Sequence, residues 1–350
     1  MRTHTLDTAA LDRIARKYAD RSDTNEVRFA LASGKSELEW SWTEEGAREP
    51  FFLASITKLF TTTILLQLRA EGALGLDDTA ASHLAAGTLA GLHVLDGHDV
   101  SAALTIAQLM SHTTGLPDYF EGKRRDGSRL IDELARKDRG WPTGAALDMA
   151  RGMRPAFAPG TPGKALYSDT NFQVLQLVIE SLDGRPYAES VQARIAKPLG
   201  LDQTFVFAES SLDRYPDIAG ILSGAAPFEA PHAMASFQAD GGAVSTAPEA
   251  LRFLRSFMRG ELFPAADLDE ITSTWRRVMM PLTYGTGIMR FSVPRYMTLK
   301  AVPEMIGHSG ASGTLLYYVP SKDVYLVGAL NQLTKRSMPY RAASELLGAI

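Results

Sequence analysis

The chain has 350 residues, 45% of them apolar and 22% charged, with no cysteine and a net charge of −4. That is enough chain for one large domain or two small ones, and it excludes a disulfide framework, a thiolate nucleophile and a cysteine-ligated zinc. The near-balanced charge offers no field to nucleic acid, and the longest apolar run, Val324–Leu330, has seven residues against the roughly 20 of a membrane span. Charge at Asp12, Arg13 and Arg16 leaves no signal-peptide apolar core, so the expectation is a cytoplasmic protein that binds neither nucleic acid nor membrane.

Leu11, Ile14, Ala15 and Tyr18 recur at helical spacing and predict an amphipathic first helix. Val27 to Ala32, a Ser33-Gly34 turn, then Leu38, Trp40 and Trp42 in alternation predict a hairpin. A buried helix follows from about Ser55, with one strongly apolar side as far as Leu68. From Glu71 to about Gly224 the pattern is of helices joined by Gly/Pro-rich loops, including a capping box at Thr105–Gln108. Lys123 to Arg139 reads as a solvated helical face. Phe172 to Leu182 predicts an apolar helix ending at Asp183-Gly184, and Glu249 to Met258 another. Strand signals then return at Tyr284–Phe291, Thr314–Val319 and Val324–Leu330, before a last helix containing Leu346 and Leu347. No repeat or linker divides the chain, so the order predicts an α+β body interrupted by a helical insertion.

Three segments carry chemistry. Ser55-Ile56-Thr57-Lys58 sets a hydroxyl and an amine one helical turn apart. A lysine of depressed pKa activates such a serine, and a helix start offers backbone N–H groups to an oxyanion. Chance alone gives about 0.7 occurrences of this spacing in a chain of this composition, so the motif is weak by itself. Pro159 to Phe172 leads through an exposed Tyr167-Ser168-Asp169 into a helix: a proton-shuttling tyrosine, or a helix cap beside a packing tyrosine. Gly307-His308-Ser309-Gly310-Ala311-Ser312-Gly313 puts small residues where a substrate backbone approaches an edge strand. Ser309 as the nucleophile of a strand–turn–helix elbow is disfavoured, because a strand follows it. The seven histidines form no metal-binding spacing, and no phosphate loop or dinucleotide fingerprint is present. His112 reads as a structurally satisfied histidine.

Taken in order, these segments resemble the serine β-lactamase and penicillin-binding family, in particular its class C-like branch of esterases and D-amino-acid peptidases. The resemblance runs from about Phe51 to Asn331 and includes Leu109–Pro117, Phe157–Gly160, Pro198–Leu201, Asp240–Gly242 and Tyr284–Gly287. It implies an antiparallel sheet flanked by terminal helices (residues 1–75 and 235–350) plus a mainly helical lobe (76–234), together one catalytic unit. It implies Ser55 as the acylated nucleophile, Lys58 as its activating partner and Tyr167 as the proton shuttle. The backbone N–H groups of Ser55 and Ala311 would form the oxyanion hole, and Asp169, His308, Ser309 and Gly310 would contact substrate. No metal or organic cofactor is implied.

Two departures bear on the substrate. His308 stands where the family's β-lactamases usually carry lysine, and a neutral imidazole weakens carboxylate binding. Asp169 replaces the usual asparagine; a carboxylate there favours the ammonium form of Lys58 and shifts the base's task towards Tyr167. The expectation is a serine hydrolase of small esters or amides, esters preferred. A D-amino-acid amidase or peptidase, in which Asp169 meets a substrate amine, and a weak β-lactamase are the alternatives. A catalytically silent binding or scaffold protein of the same fold is the alternative of another class.

Overall fold

The structure is a computed structural model that describes residues 7–34, 39–294, 296 and 302–350; Leu38 of the first hairpin lies outside them. Helix α1 (Thr8–Ala19) is capped by the Asp7 carboxylate, which accepts from the Ala10 N–H, and it buries Leu11, Ala15 and Tyr18. Strands β1 (Arg28–Ser33) and β2 (Glu39–Thr43) form the first hairpin. After a two-residue strand, Phe51–Phe52, a 3₁₀ turn (Ala54–Ile56) leads directly into α2 (Thr57–Ala70), which is buried along most of its length.

The stretch from residue 76 to 234 is mainly helical. It contains α3 (Ile106–Met110), opened by the capping box of Thr105 and Gln108, and α4 (Asp169–Asp183), closed by Gly184 in the left-handed conformation. Two small ribbons and a short strand, Phe205–Val206, interrupt the helices. The charged segment 123–139 is not the long helical face its composition suggests. Asp126 accepts from the Ser128 N–H, Gly127 turns the chain at φ +82°, and only Leu130–Leu134 are helical.

Helix α5 (Ala247–Met258) returns the chain to the sheet, which is completed by β3 (Arg276–Met279), β4 (Leu282–Tyr284), β5 (Met289–Phe291), β6 (Met305–Gly310), β7 (Thr314–Val319) and β8 (Val324–Ala329). Helix α6 (Met338–Gly348) ends the fold. The expected strand Tyr284–Phe291 is two strands, because the chain reverses at Gly285 to Gly287. The sheet order is β3-β4-β5-β6-β7-β8-β1-β2, every pair antiparallel. The fold is therefore α+β.

One face of the sheet carries Phe29, Leu31, Leu315, Tyr317 and Leu326, packed on α1 and α6. The other carries Ala30, Ala32, Leu316 and Val327, packed on α2, α5 and the helical stretch. This alternation follows from the period of two along each strand. Among the described residues no helix is long and apolar enough to cross a membrane.

Candidate active site

Ser55 sits in a turn held from both sides. The Leu53 N–H donates to the Ala243 carbonyl at 2.8 Å, the Thr314 hydroxyl donates to the Leu53 carbonyl at 3.0 Å, and the Thr57 hydroxyl donates to the Ala54 carbonyl at 2.6 Å. Ala54 is held at φ +49°, a strained conformation for a residue with a Cβ. Strand β6 approaches this turn so closely that a Cβ on Gly310 would lie 2.5 Å from the Leu53 carbonyl and 2.9 Å from the Ala54 Cβ.

Lys58, one turn after Ser55 and fully buried, donates to the Ser55 Oγ at 3.1 Å and to the Asp240 carbonyl at 2.5 Å. Its Nζ lies 2.7 Å from the Asp169 Oδ1. Burial opposes the ammonium form, but the charges of Asp169 and Asp240 outweigh it and the pKa of Lys58 moves up from its ordinary value. Burial, assisted by Asp169, pushes the pKa of the Tyr167 phenol well above the ordinary value, against an opposing influence of the Ser55 hydroxyl.

The start of α4 arranges this cluster. The Ser168 and Thr170 hydroxyls both donate to the Pro117 carbonyl, at 2.9 and 2.6 Å, stapling the 115–121 loop to the helix. The segment that reads as exposed Tyr-Ser-Asp is thus largely enclosed: Ser168 is fully buried, Asp169 is 9% exposed and Tyr167 is half-buried. The Tyr167 ring rests on the His112 imidazole at 4.4 Å between centroids. His112 Nδ1 accepts from the Ser168 N–H and the Asn171 amide, so its proton is on Nε2; burial and Lys58 push its pKa well below the usual range.

Ser55, Tyr167, Asp169, Ser309, Gly310 and Ala311 line one cavity of about 960 Å³. His308, expected to contact substrate, is not among these lining residues. On β6 it alternates with Ser309 and is fully buried, where the Tyr284 hydroxyl donates to its Nε2 at 3.0 Å and its Nδ1–H donates to the Ser309 carbonyl at 2.8 Å. Burial and Lys58 lower its pKa to about 3, so it is neutral and supports the aromatic cluster under Tyr167. The Ser309 hydroxyl is turned to the opposite face, 2.5 Å from the Tyr340 hydroxyl.

Two further acids complete the site: Asp240, which opens one of the segments that carry the resemblance, and Asp118, which no motif flags. The Asp240 carboxyl accepts from Tyr119 at 2.9 Å and Gln173 at 2.8 Å, and burial together with Asp169 pushes its pKa well above the usual range. Asp118 lines the cavity; its Oδ1 accepts the Phe120 and Glu121 N–H groups, and its Oδ2 lies 3.4 Å from the Asp169 nitrogen. Burial and the neighbouring Asp169 raise its pKa from 3.8 to about 7. Between those two values the folded protein keeps a proton that the unfolded chain has released, so stability falls as pH rises through that window. Asp118→Asn is therefore expected to stabilise the protein by on the order of 2 kcal/mol at pH 8 and by little at pH 4. Thermal melts of both proteins at the two pH values test this.

The fold and this cluster define a class of protein: a sheet-and-helix body with a buried lysine beside an accessible serine at the mouth of a large cavity. The β-lactamase family model matches residues 11–350, and the chain belongs to that family of serine hydrolases. It is similar to the D-stereospecific amidohydrolase from a Streptomyces species at a TM-score of 0.75 and 26% identity, covering 97% of this chain and 98% of that one. EstCE1, a hydrolase with promiscuous acyltransferase activity, shares the fold at a TM-score of 0.75 and 18% identity, with 97% of each chain covered. Penicillin-binding protein 4 of Amycolatopsis lactamdurans is 30% identical over 162 residues, which make up 46% of this chain and 37% of that protein. A putative D-alanyl-D-alanine carboxypeptidase of Escherichia coli K12 is 25% identical over 312 residues, 80% of this chain and 68% of that protein. The first curated relatives are thus matched over only about a third of their own length.

Proposed function

We propose that the protein hydrolyses small esters, and amides more slowly, through an acyl-enzyme on Ser55. The observation that carries this reading is the 3.1 Å contact from the Lys58 ammonium to the Ser55 Oγ, with Tyr167 lining the same cavity beside that serine. Lys58, kept cationic by Asp169, stabilises negative charge developing on Oγ. Tyr167 is a neutral phenol, so it takes the serine proton only as it passes its own to the leaving group. Ser55 Oγ bonds to the acyl carbon, the leaving group departs with the tyrosine's proton, and water reverses the relay to release the acid. The backbone N–H groups of Ser55 and Ala311, on opposite sides of the Gly310 contact, form the oxyanion hole in this reading.

The ester preference rests on Lys58 being a weak base while ion-paired, which suits leaving groups that depart readily; His308 is withdrawn from the cavity, and the cations that line it are Arg336 and Arg341. The sheet lobe (1–75 and 235–350) and helical lobe (76–234) act in it as one catalytic unit. A fluorophosphonate probe is expected to label Ser55 in the wild type and nothing in Ser55→Ala; an unlabelled wild type, or full ester turnover by the alanine variant, refutes the reading. Tyr167→Phe should retain the fold and lose about 10²- to 10⁴-fold in kcat.

A second reading, an amidase for substrates with a free amine, is favoured by Asp118, which faces the cavity while Lys58 is already paired with Asp169. It predicts a kcat/KM for D-aminoacyl anilides that rises through pH 7 as Asp118 ionises, and that loses this rise in Asp118→Asn.

A further inference from the structure

The cavity beside Ser55 does not stop at the face of the sheet on which Ser55 lies. Strand β5 pairs with β6 only as far as Gly307, opposite Met289, so among the described residues no strand lies beside the outer edge of β6 at Ser309 and Gly310. Both of these residues line the cavity, and so do Leu282, Met289, Phe291 and Leu315. These four side chains belong to the apolar layer between the sheet and α1 and α6, the opposite layer from α2. The cavity therefore turns around the free edge of β6 and continues as an apolar recess between β4, β5 and the first turns of α6.

Two exposed methionines line the same cavity, with the charged Arg341 and Glu345 of α6 among its other lining residues. Met279 and Met280, at the tip of the β3–β4 hairpin, are 57% and 42% exposed, and both line the cavity. They are two of the four exposed large hydrophobic residues among those described, the others being Val94 and Tyr296. Methionine is an adaptable, polarizable surface for an apolar ligand, and a volume of about 960 Å³ is near the upper end of pockets that enclose drug-sized molecules. An acetyl group would leave nearly all of it empty.

Resting on the assignment of Ser55 as nucleophile, we propose that the natural substrate carries an extended apolar acyl chain, which passes over Gly310 and seats in this recess under Met279 and Met280. The ester's acyl carbon then sits at Ser55 while the chain occupies the far side of the sheet edge. An acyl chain stays attached through both acylation and deacylation, so its binding serves both steps.

The test is a series of p-nitrophenyl esters from acetate to octanoate, run beside fluorophosphonate labelling of Ser55. The expected result is a rise in kcat/KM of about fourfold per methylene, the factor that burial of each one supplies. The double variant Met279→Ser, Met280→Ser, both exposed positions, should lose about tenfold on octanoate while acetate stays within twofold. A flat or falling series with Ser55 still labelled overturns the acyl-chain assignment and leaves the nucleophile standing. A dependence on the alcohol chain of alkyl acetates, with none on acyl length, overturns it as well. A wild type in which Ser55 is never labelled removes both readings.

Discussion

Lys58→Ala is expected to lower kcat/KM by ~10³-fold or more and to destabilise the protein by about 3–5 kcal/mol. Lys58 is fully buried, and its ammonium holds three oxygens together: the Ser55 hydroxyl, the Asp240 carbonyl and the Asp169 carboxylate. Removing it leaves Asp169 charged and largely enclosed beside Asp118 and Asp240, which already resist ionisation. The combined variant Lys58→Ala, Asp169→Asn isolates the two effects. It should recover most of the stability, because no uncompensated charge remains, and none of the activity. Chemical denaturation and ester turnover of the three proteins measure this; recovery of activity in the double variant contradicts the role given to Lys58.

Gly310→Ala is the second large effect. The added Cβ would meet the Leu53 carbonyl at 2.5 Å and the Ala54 Cβ at 2.9 Å, and it would overlap the Thr314 hydroxyl. Two of these three belong to the turn that presents Ser55, and the third donates the hydrogen bond that anchors it. Strand β6 and the serine turn must separate, and a displacement of about 1 Å between reacting groups costs on the order of 10²-fold in rate. Turnover of p-nitrophenyl butyrate should fall by that factor while far-ultraviolet dichroism stays unchanged. A variant with wild-type turnover would show that this contact does not govern the site.

The elements with strong periodicity were legible from the residues alone. The first hairpin, α2, α4 and the β7–β8 hairpin fall within a few residues of their expected places, because each has a continuous apolar face. Segment 123–139 failed for the opposite reason: its charges have helical spacing, but the Asp126-Gly127 turn and side-chain pairs such as Arg139 to Glu133 absorb them locally. Within the site, Ser55 and Lys58 announce themselves because one helical turn fixes their spacing. Asp118 could not, since its proximity to Asp169 depends on the Pro117 carbonyl meeting two hydroxyls 51 and 53 residues away. The direction in which His308 faces follows from which edge of β6 is paired, information that no local pattern contains.

The position of β1 sets how the molecule must assemble. It lies between the edge strand β2 and β8, in register with Arg28 opposite Ala329 and Ser33 opposite Val324, so this side of the sheet joins segments about 300 residues apart in the chain. Contact order is correspondingly high, which places the protein among slow folders. On the ribosome the β1–β2 hairpin emerges early and waits, with one edge open, until nearly the whole chain has been made. Over that interval the helical stretch can form from local contacts, whereas the cavity cannot close, because its β6 wall is synthesised late. Hydrolase activity should therefore appear in refolding experiments after most of the helix signal has returned.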